Sequence, residues 1–171
     1  MSSTFHASER AWYDEVRSHT LALTHIRSVS PHASENTVAE EILRRLGADG
    51  LESAFTALSL DPIPGDPWGR ANAVAFVRGR SPRTVTLMGH FDTVDTADYG
   101  ALEPWALDPD ALRQRLDTLV EMTPGVAEDE AAAPGDWMYG RGVADMKSGV
   151  AACIALLRHY ARLAQAGELP L

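Results

Sequence analysis

The strongest constraint on this chain lies near its end. Val150, Cys153, Ile154, Leu156, Leu157, Tyr160 and Leu163 fall almost all round a helix running from about Lys147 to Gln165. A helix of that kind must be buried on more than one face. Its longest uninterrupted apolar run, Val150 to Leu157, is eight residues, far short of the ~20 that cross a bilayer. The helix therefore belongs inside a layered globular structure, and 171 residues are enough for one domain with a real core. Hydrophobic residues make up 45% and charged residues 23%, which excludes collagen-like and wholly disordered chains. The formal charge of −9 repels phosphate backbones and argues against a nucleic-acid partner. The single cysteine, Cys153, cannot form an internal disulfide. The first ten residues, Met1 to Arg10, are polar and lack a signal-type apolar stretch. The expectation is a soluble cytoplasmic protein with no membrane partner.

Ahead of that helix the pattern alternates between helix and strand. Ser8 can cap a first helix whose face carries Trp12, Val16, His19, Leu23 and Ile26. Ser30-Pro31 breaks it. Ser34 can cap a second helix with Val38, Ile42 and Leu46 on one side and Gly47 as its stop. Asp61 to Gly69 reads as a loop. Asn72 to Val77 alternates as a strand, Gly79 to Pro82 turns the chain, and Thr84 to Met88 is a second, β-branched strand. Asp108 starts a third helix through Leu112, Leu116, Leu119 and Val120. Thr123 to Asp136, acidic and rich in Ala, Pro and Gly, is expected to be mobile, and Trp137 to Tyr139 to form a short strand. This order of elements describes an α/β layer structure.

Two segments carry candidate chemistry. The first is Met88-Gly89-His90-Phe91-Asp92-Thr93-Val94-Asp95, at the end of the second strand. Residues two apart on a strand share a face. His90 can offer one ring nitrogen to a metal while Asp92 holds the other, fixing the tautomer and raising ligand basicity. On these residues alone, a surface turn with His and Asp hydrogen-bonded in water fits as well. The second is Tyr139-Gly140-Arg141-Gly142-Val143-Ala144-Asp145-Met146-Lys147-Ser148-Gly149. Its glycines imply unusual dihedrals or close approach. Asp145 sits where a helix dipole favours an anion and could equally be a plain N-cap. Neither phosphate-loop spacing is present. Of fifteen cationic side chains fourteen are Arg, and the one Lys, Lys147, falls inside this segment.

Together, Gly-His-Phe-Asp-Thr-Val and Gly-Arg-Gly-Val-Ala-Asp-Met-Lys-Ser-Gly resemble the M20 family of zinc-dependent peptidases and deacylases. The likeness extends to the N-terminal helices and the Arg70-x-Asn72 strand. Within that family, the 55 positions between His90 and Asp145, filled by Asp98-Tyr99-Gly100 and the helix from Asp108, are similar to the arginine-utilisation (RocB-like) branch. The resemblance implies a mixed sheet flanked by helices, as in a zinc-dependent exopeptidase catalytic domain. It implies two zinc ions, with His90 a ligand, Asp145 the bridging carboxylate joined to Met146 by a cis bond, and Asp92 the catalytic-site residue that orients His90. Arg141 and Lys147 are expected to neutralise the carboxylate-rich turn and cap strand or helix ends. The substrate would be a small peptide or N-acyl amino acid.

The family site needs more ligands and a Glu general base, which follow Asp145 in its members. After Asp145 this chain offers only Glu168 and His159, the latter expected on the less buried side of the long helix. His6, His19, His25 and His32 are expected to be structural or solvated. The chain thus reads as the N-terminal part of an M20-type hydrolase of amide or peptide bonds. By itself it would be inactive, with uncovered surfaces that favour self-association. The competing reading is a non-catalytic interaction module or an inert truncated gene product.

Overall fold

The computed structural model describes residues 7–123 and 125–169. The chain runs through α1 (Ala7–Thr24), α2 (Glu35–Gly47), β1 (Ala57–Pro62), β2 (Ala71–Phe76), α3 (Pro109–Arg113), α4 (Leu116–Met122), α5 (Gly125–Ala132) and α6 (Ser148–Ala166). A 3₁₀ stretch spans Ala97–Trp105, and a single π turn, Val143–Lys147, leads into α6. The only sheet among the described residues is a two-stranded antiparallel hairpin pairing Ala57 with Phe76 through to Pro62 with Ala71. The content is α/β, but the expected mixed sheet is absent from the described residues. A lone parallel bridge joins Val29 to Thr93.

Two apolar clusters organise these elements. The larger joins α1, α2 and α6 through Leu23, Val38, Ile42, Leu46, Val150 and Ile154, with Phe55 just ahead of the hairpin and the hairpin's Leu58, Ala73 and Ala75 packed against them. The smaller, Leu102, Leu112, Leu119 and Val126, belongs wholly to the segment between the two motifs. That segment has a core of its own. The helix α6 buries one stripe, Val150, Ala151, Ile154, Ala155, Arg158 and Ala161, rather than the several faces its composition implies. Cys153, Leu156, Leu157 and Leu163 are half-buried and Tyr160 is exposed.

Arg158 stands in that stripe because α2 ends beside it. The last carbonyls of a helix have no partner within the helix. The Arg158 guanidinium donates to the Arg45, Leu46 and Ala48 carbonyls, to Asp49 Oδ2 at 2.6 Å and to Glu15 Oε1 at 3.0 Å. One buried cation thereby fastens α1, α2 and α6. Gly47 is the last residue of α2 with φ −80°, and the left-handed residues follow it at Asp49 and Gly50. Ser34 makes no side-chain cap; the Glu35 carboxylate accepts from the His32 amide at 3.0 Å instead.

Other expectations change for physical reasons. Thr84 to Met88 is not a strand. No described strand lies beside it to complete a ladder, and Val85 and Met88 are 87% and 84% exposed. Trp137 to Tyr139 has no strand partner either; its side chains turn back on α5, where Trp137 Nε1 donates to the Asp129 carbonyl and the Tyr139 hydroxyl to Glu130. The acidic stretch expected to be mobile contains α5, held by the Arg113–Glu130 pair and buried Val126. The helix from Asp108 splits at Gln114 and Arg115 into α3 and α4, although Asp108 does cap it, accepting from Ala111 N at 3.0 Å. β1 takes in residues ahead of the expected loop together with the first two of that loop, Asp61 and Pro62, which pair with Asn72 and Ala71.

The histidines outside the motifs have structural settings. His19 is buried, and its Nδ1 lies 3.0 Å from Arg45 Nη1 while Nε2 is 3.8 Å from Glu15. His25 lies 3.6 Å from Asp108, His32 Nδ1 accepts from Ser34 N, and half-buried His159 packs on Trp12. His6 lies outside the described residues. Burial, then the Arg45 charge, pushes His19 down to about 4. Its ordinary value is 6.5, so between those values the unfolded chain takes up a proton that the folded one refuses. Stability therefore falls as pH drops from about 6.5 to 4. Urea unfolding should show His19→Gln losing less stability than the parent over that interval; parallel pH profiles would contradict this.

Candidate functional site

The two motif segments meet. His90 Nε2 lies 2.9 Å from Asp145 Oδ1, and His90 Nδ1 lies 3.3 Å from Asp92 Oδ1. One imidazole thus bridges two carboxylates that are 53 positions apart in sequence. Asp92 takes the Nδ1 side and leaves Nε2 directed at Asp145. The pair faces solvent, with Asp145 the most exposed of the three at 88%.

Close packing of backbone on backbone creates this meeting. A Cβ at Gly89 would sit 2.9 Å from Val150 Cγ2 and 3.2 Å from Met146 Cε. A Cβ at Gly142 would sit 2.6 Å from Thr93 Cγ2, and its φ of +78° belongs to the left-handed region. These glycines let the His90 segment lie against the turn that presents Asp145. The Asp145–Met146 peptide bond is cis, as the sequence resemblance implies.

Residues 26–30 anchor both segments. Lys147 is fully buried and donates through Nζ to the Ile26 carbonyl at 2.7 Å. Ser28 Oγ donates to the Phe91 carbonyl at 2.6 Å, and the Ser28 carbonyl accepts from Thr93 N at 2.8 Å. Lys147 therefore does not neutralise the carboxylate turn; it reaches away from it to the end of α1, and burial pushes its ammonium down to about 8. Arg141 likewise turns from Asp145. It pairs with Asp98, stacks over Tyr99 at 5.1 Å, and its amide donates to the Ala106 carbonyl at 2.7 Å. The guanidinium holds the Asp98 carboxyl below the usual range. The sequence signals for these two anchors were the lone Lys and the Arg-Gly dipeptide, but neither indicates a direction.

Comparison with known proteins bears on this geometry. The chain is 33% identical to Protein RocB of Bacillus subtilis (strain 168) over 150 residues, covering 86% of this chain and 26% of RocB. Over most of its own length it is a partial homologue of RocB. It is also 38% identical over 89 residues to the uncharacterized protein YqjN of the same organism, covering 52% of this chain and 16% of YqjN. The chain spans about a quarter or less of the length of these curated relatives. No family model and no solved structure matches it.

His90 and Asp145 are donors of the kinds that zinc takes. Nε2 of His90 and Oδ1 of Asp145 face one another, and Asp92 supports the ring from behind as metal-ligating histidines require. Tetrahedral zinc takes four donors. Among the described residues no group of three or more His, Cys, Asp or Glu side chains converges on one point, so these residues do not complete such a site. Among them, too, no helix is long and apolar enough to cross a membrane.

The packing account makes a direct prediction. Gly142→Ala should cost roughly 2–3 kcal/mol of stability, from the left-handed backbone and the Thr93 clash together. Adding Thr93→Ser, which removes the clashing methyl, should recover part of the loss in urea unfolding. An unchanged midpoint in Gly142→Ala would refute the close approach.

Proposed function

We propose that this chain carries the His90–Asp145 half of the metal site of a zinc-dependent amide hydrolase of the M20 type, related to RocB and to arginine utilisation. The observation that carries the reading is the single imidazole placed between Asp92 and Asp145, its outward nitrogen aimed at a carboxylate. When bound, zinc would supply a water activated for attack on an amide carbonyl. The residues of this chain have three roles in that setting. His90 donates Nε2, Asp145 offers a carboxylate free to bridge, and Asp92 accepts from Nδ1–H so that Nε2 keeps its lone pair outward. Asp92 is a positioning residue.

The remaining donors and the general base would come from the rest of a RocB-length protein. The substrate would be a small peptide or an N-acyl amino acid. The chain of 171 residues by itself would bind metal weakly and turn over no amide.

Cobalt(II) or zinc titration of this chain tests the reading. His90→Ala should abolish the binding. Asp92→Asn should weaken it by about 10- to 100-fold, the usual effect of losing a residue that orients a ligand. Equal binding by the parent chain and His90→Ala would overturn the assignment. Equal loss in both variants would mean that Asp92 is itself a ligand.

A further inference from the structure

Seven consecutive backbone units are left open in this structure. Among the described residues, Thr84 to His90 make no backbone hydrogen bond to one another or to a neighbouring element. Each of these residues still carries an amide donor and a carbonyl acceptor that need partners. The first five, Thr84-Val85-Thr86-Leu87-Met88, have the composition of a strand. None of the seven has a positive φ, so no left-handed residue interrupts a ladder. Val85 and Met88 are 87% and 84% exposed. Exposed strands are ordinarily protected by an internal charge, a proline or a bulge. Residues 84–88 contain neither a charge nor a proline.

The flanks of this segment decide what covers it. Arg78, Arg80 and Arg83 precede it, all exposed, and among the described residues none of them pairs with a carboxylate. In a chain of formal charge −9, that is a local surplus of cations. Asp92 and Asp95 follow it. A segment positive at one end, negative at the other and uncharged between is complementary to its own reverse. An antiparallel copy sets arginine against aspartate, whereas a parallel copy sets like charge on like. Two identical segments paired about a two-fold axis form a closed interface that stops at two chains.

We propose that residues 83–90 pair in antiparallel fashion with the same residues of a second copy of this chain, so that the open segment is a dimer interface. The proposal is independent of the hydrolase reading and needs no metal.

Sedimentation equilibrium of the 171-residue chain over a range of concentrations tests it. A reversible equilibrium between one and two chains is expected. Thr86 is exposed and makes no backbone hydrogen bond, so Thr86→Pro should leave the circular dichroism spectrum unchanged. By deleting a ladder donor it should weaken dimerisation roughly tenfold or more. Val85→Lys, at a fully solvated position, should do the same by placing a charge in the apolar row. Orientation is read from Arg80→Glu with Arg83→Glu, which should weaken the dimer by about threefold or more; in a parallel pair the same change would relieve repulsion and strengthen it. Arg10→Glu with Arg44→Glu, at exposed positions on α1 and α2, makes the same change in net charge and should have less effect. A chain that stays monomeric at every concentration, as it would if only a different protein completes this segment, would overturn the proposal. So would open-ended aggregation, a dimer that neither Thr86→Pro nor Val85→Lys weakens, or a dimer strengthened by the arginine reversal.

Discussion

The structure depends on one buried ammonium group. Lys147 Nζ donates to the Ile26 carbonyl at the exit of α1, deep in a region where an unpaired charge would be costly. Two residues on, Ser28 takes hold of the His90 segment through the Phe91 carbonyl and the Thr93 amide. A five-residue connection thus fixes both halves of the candidate site from behind. Neither half needs regular secondary structure to be positioned. This explains how the irregular residues 83–92 can present His90 at a defined place although their own side chains are largely exposed.

The intervening segment obeys the same logic at larger scale. It leaves the main body after Thr93, builds its own small core, and returns at the glycine turn. Three ties restrain it there: the Arg141 amide on the Ala106 carbonyl, the Arg141–Asp98 pair, and the Tyr99 stack. The same segment is tied to α1 and the residues after it by Arg17–Asp110, His25–Asp108 and Arg27–Thr96.

The sequence revealed elements whose signals are local. The four-residue spacing of Val38, Ile42 and Leu46, the Asp108 cap and the apolar run from Val150 all appear as helices where expected. It misled where an element depends on a partner. Thr84 to Met88 has strand composition, but a strand exists only when a neighbour completes its hydrogen bonds. The acidic residues from Thr123 look mobile because the stabilising Arg113–Glu130 pair joins distant positions. For the site, the residue types and spacing brought His90, Asp92 and Asp145 to attention, and the fold brings all three together. The reach of Lys147 and Arg141 was not legible, because long side chains at a glycine turn can point either toward or away from the carboxylates.

The most direct measurement is nitrogen-15 NMR of the histidine side chains of the 171-residue chain as zinc is added. If His90 and Asp145 form half of a metal position, His90 Nε2 shifts on zinc addition while His90 Nδ1 stays protonated toward Asp92, and the other five of the six histidines do not respond. Zinc appearing at His25, His32 or His159, or at Nδ1 of His90, would contradict the account.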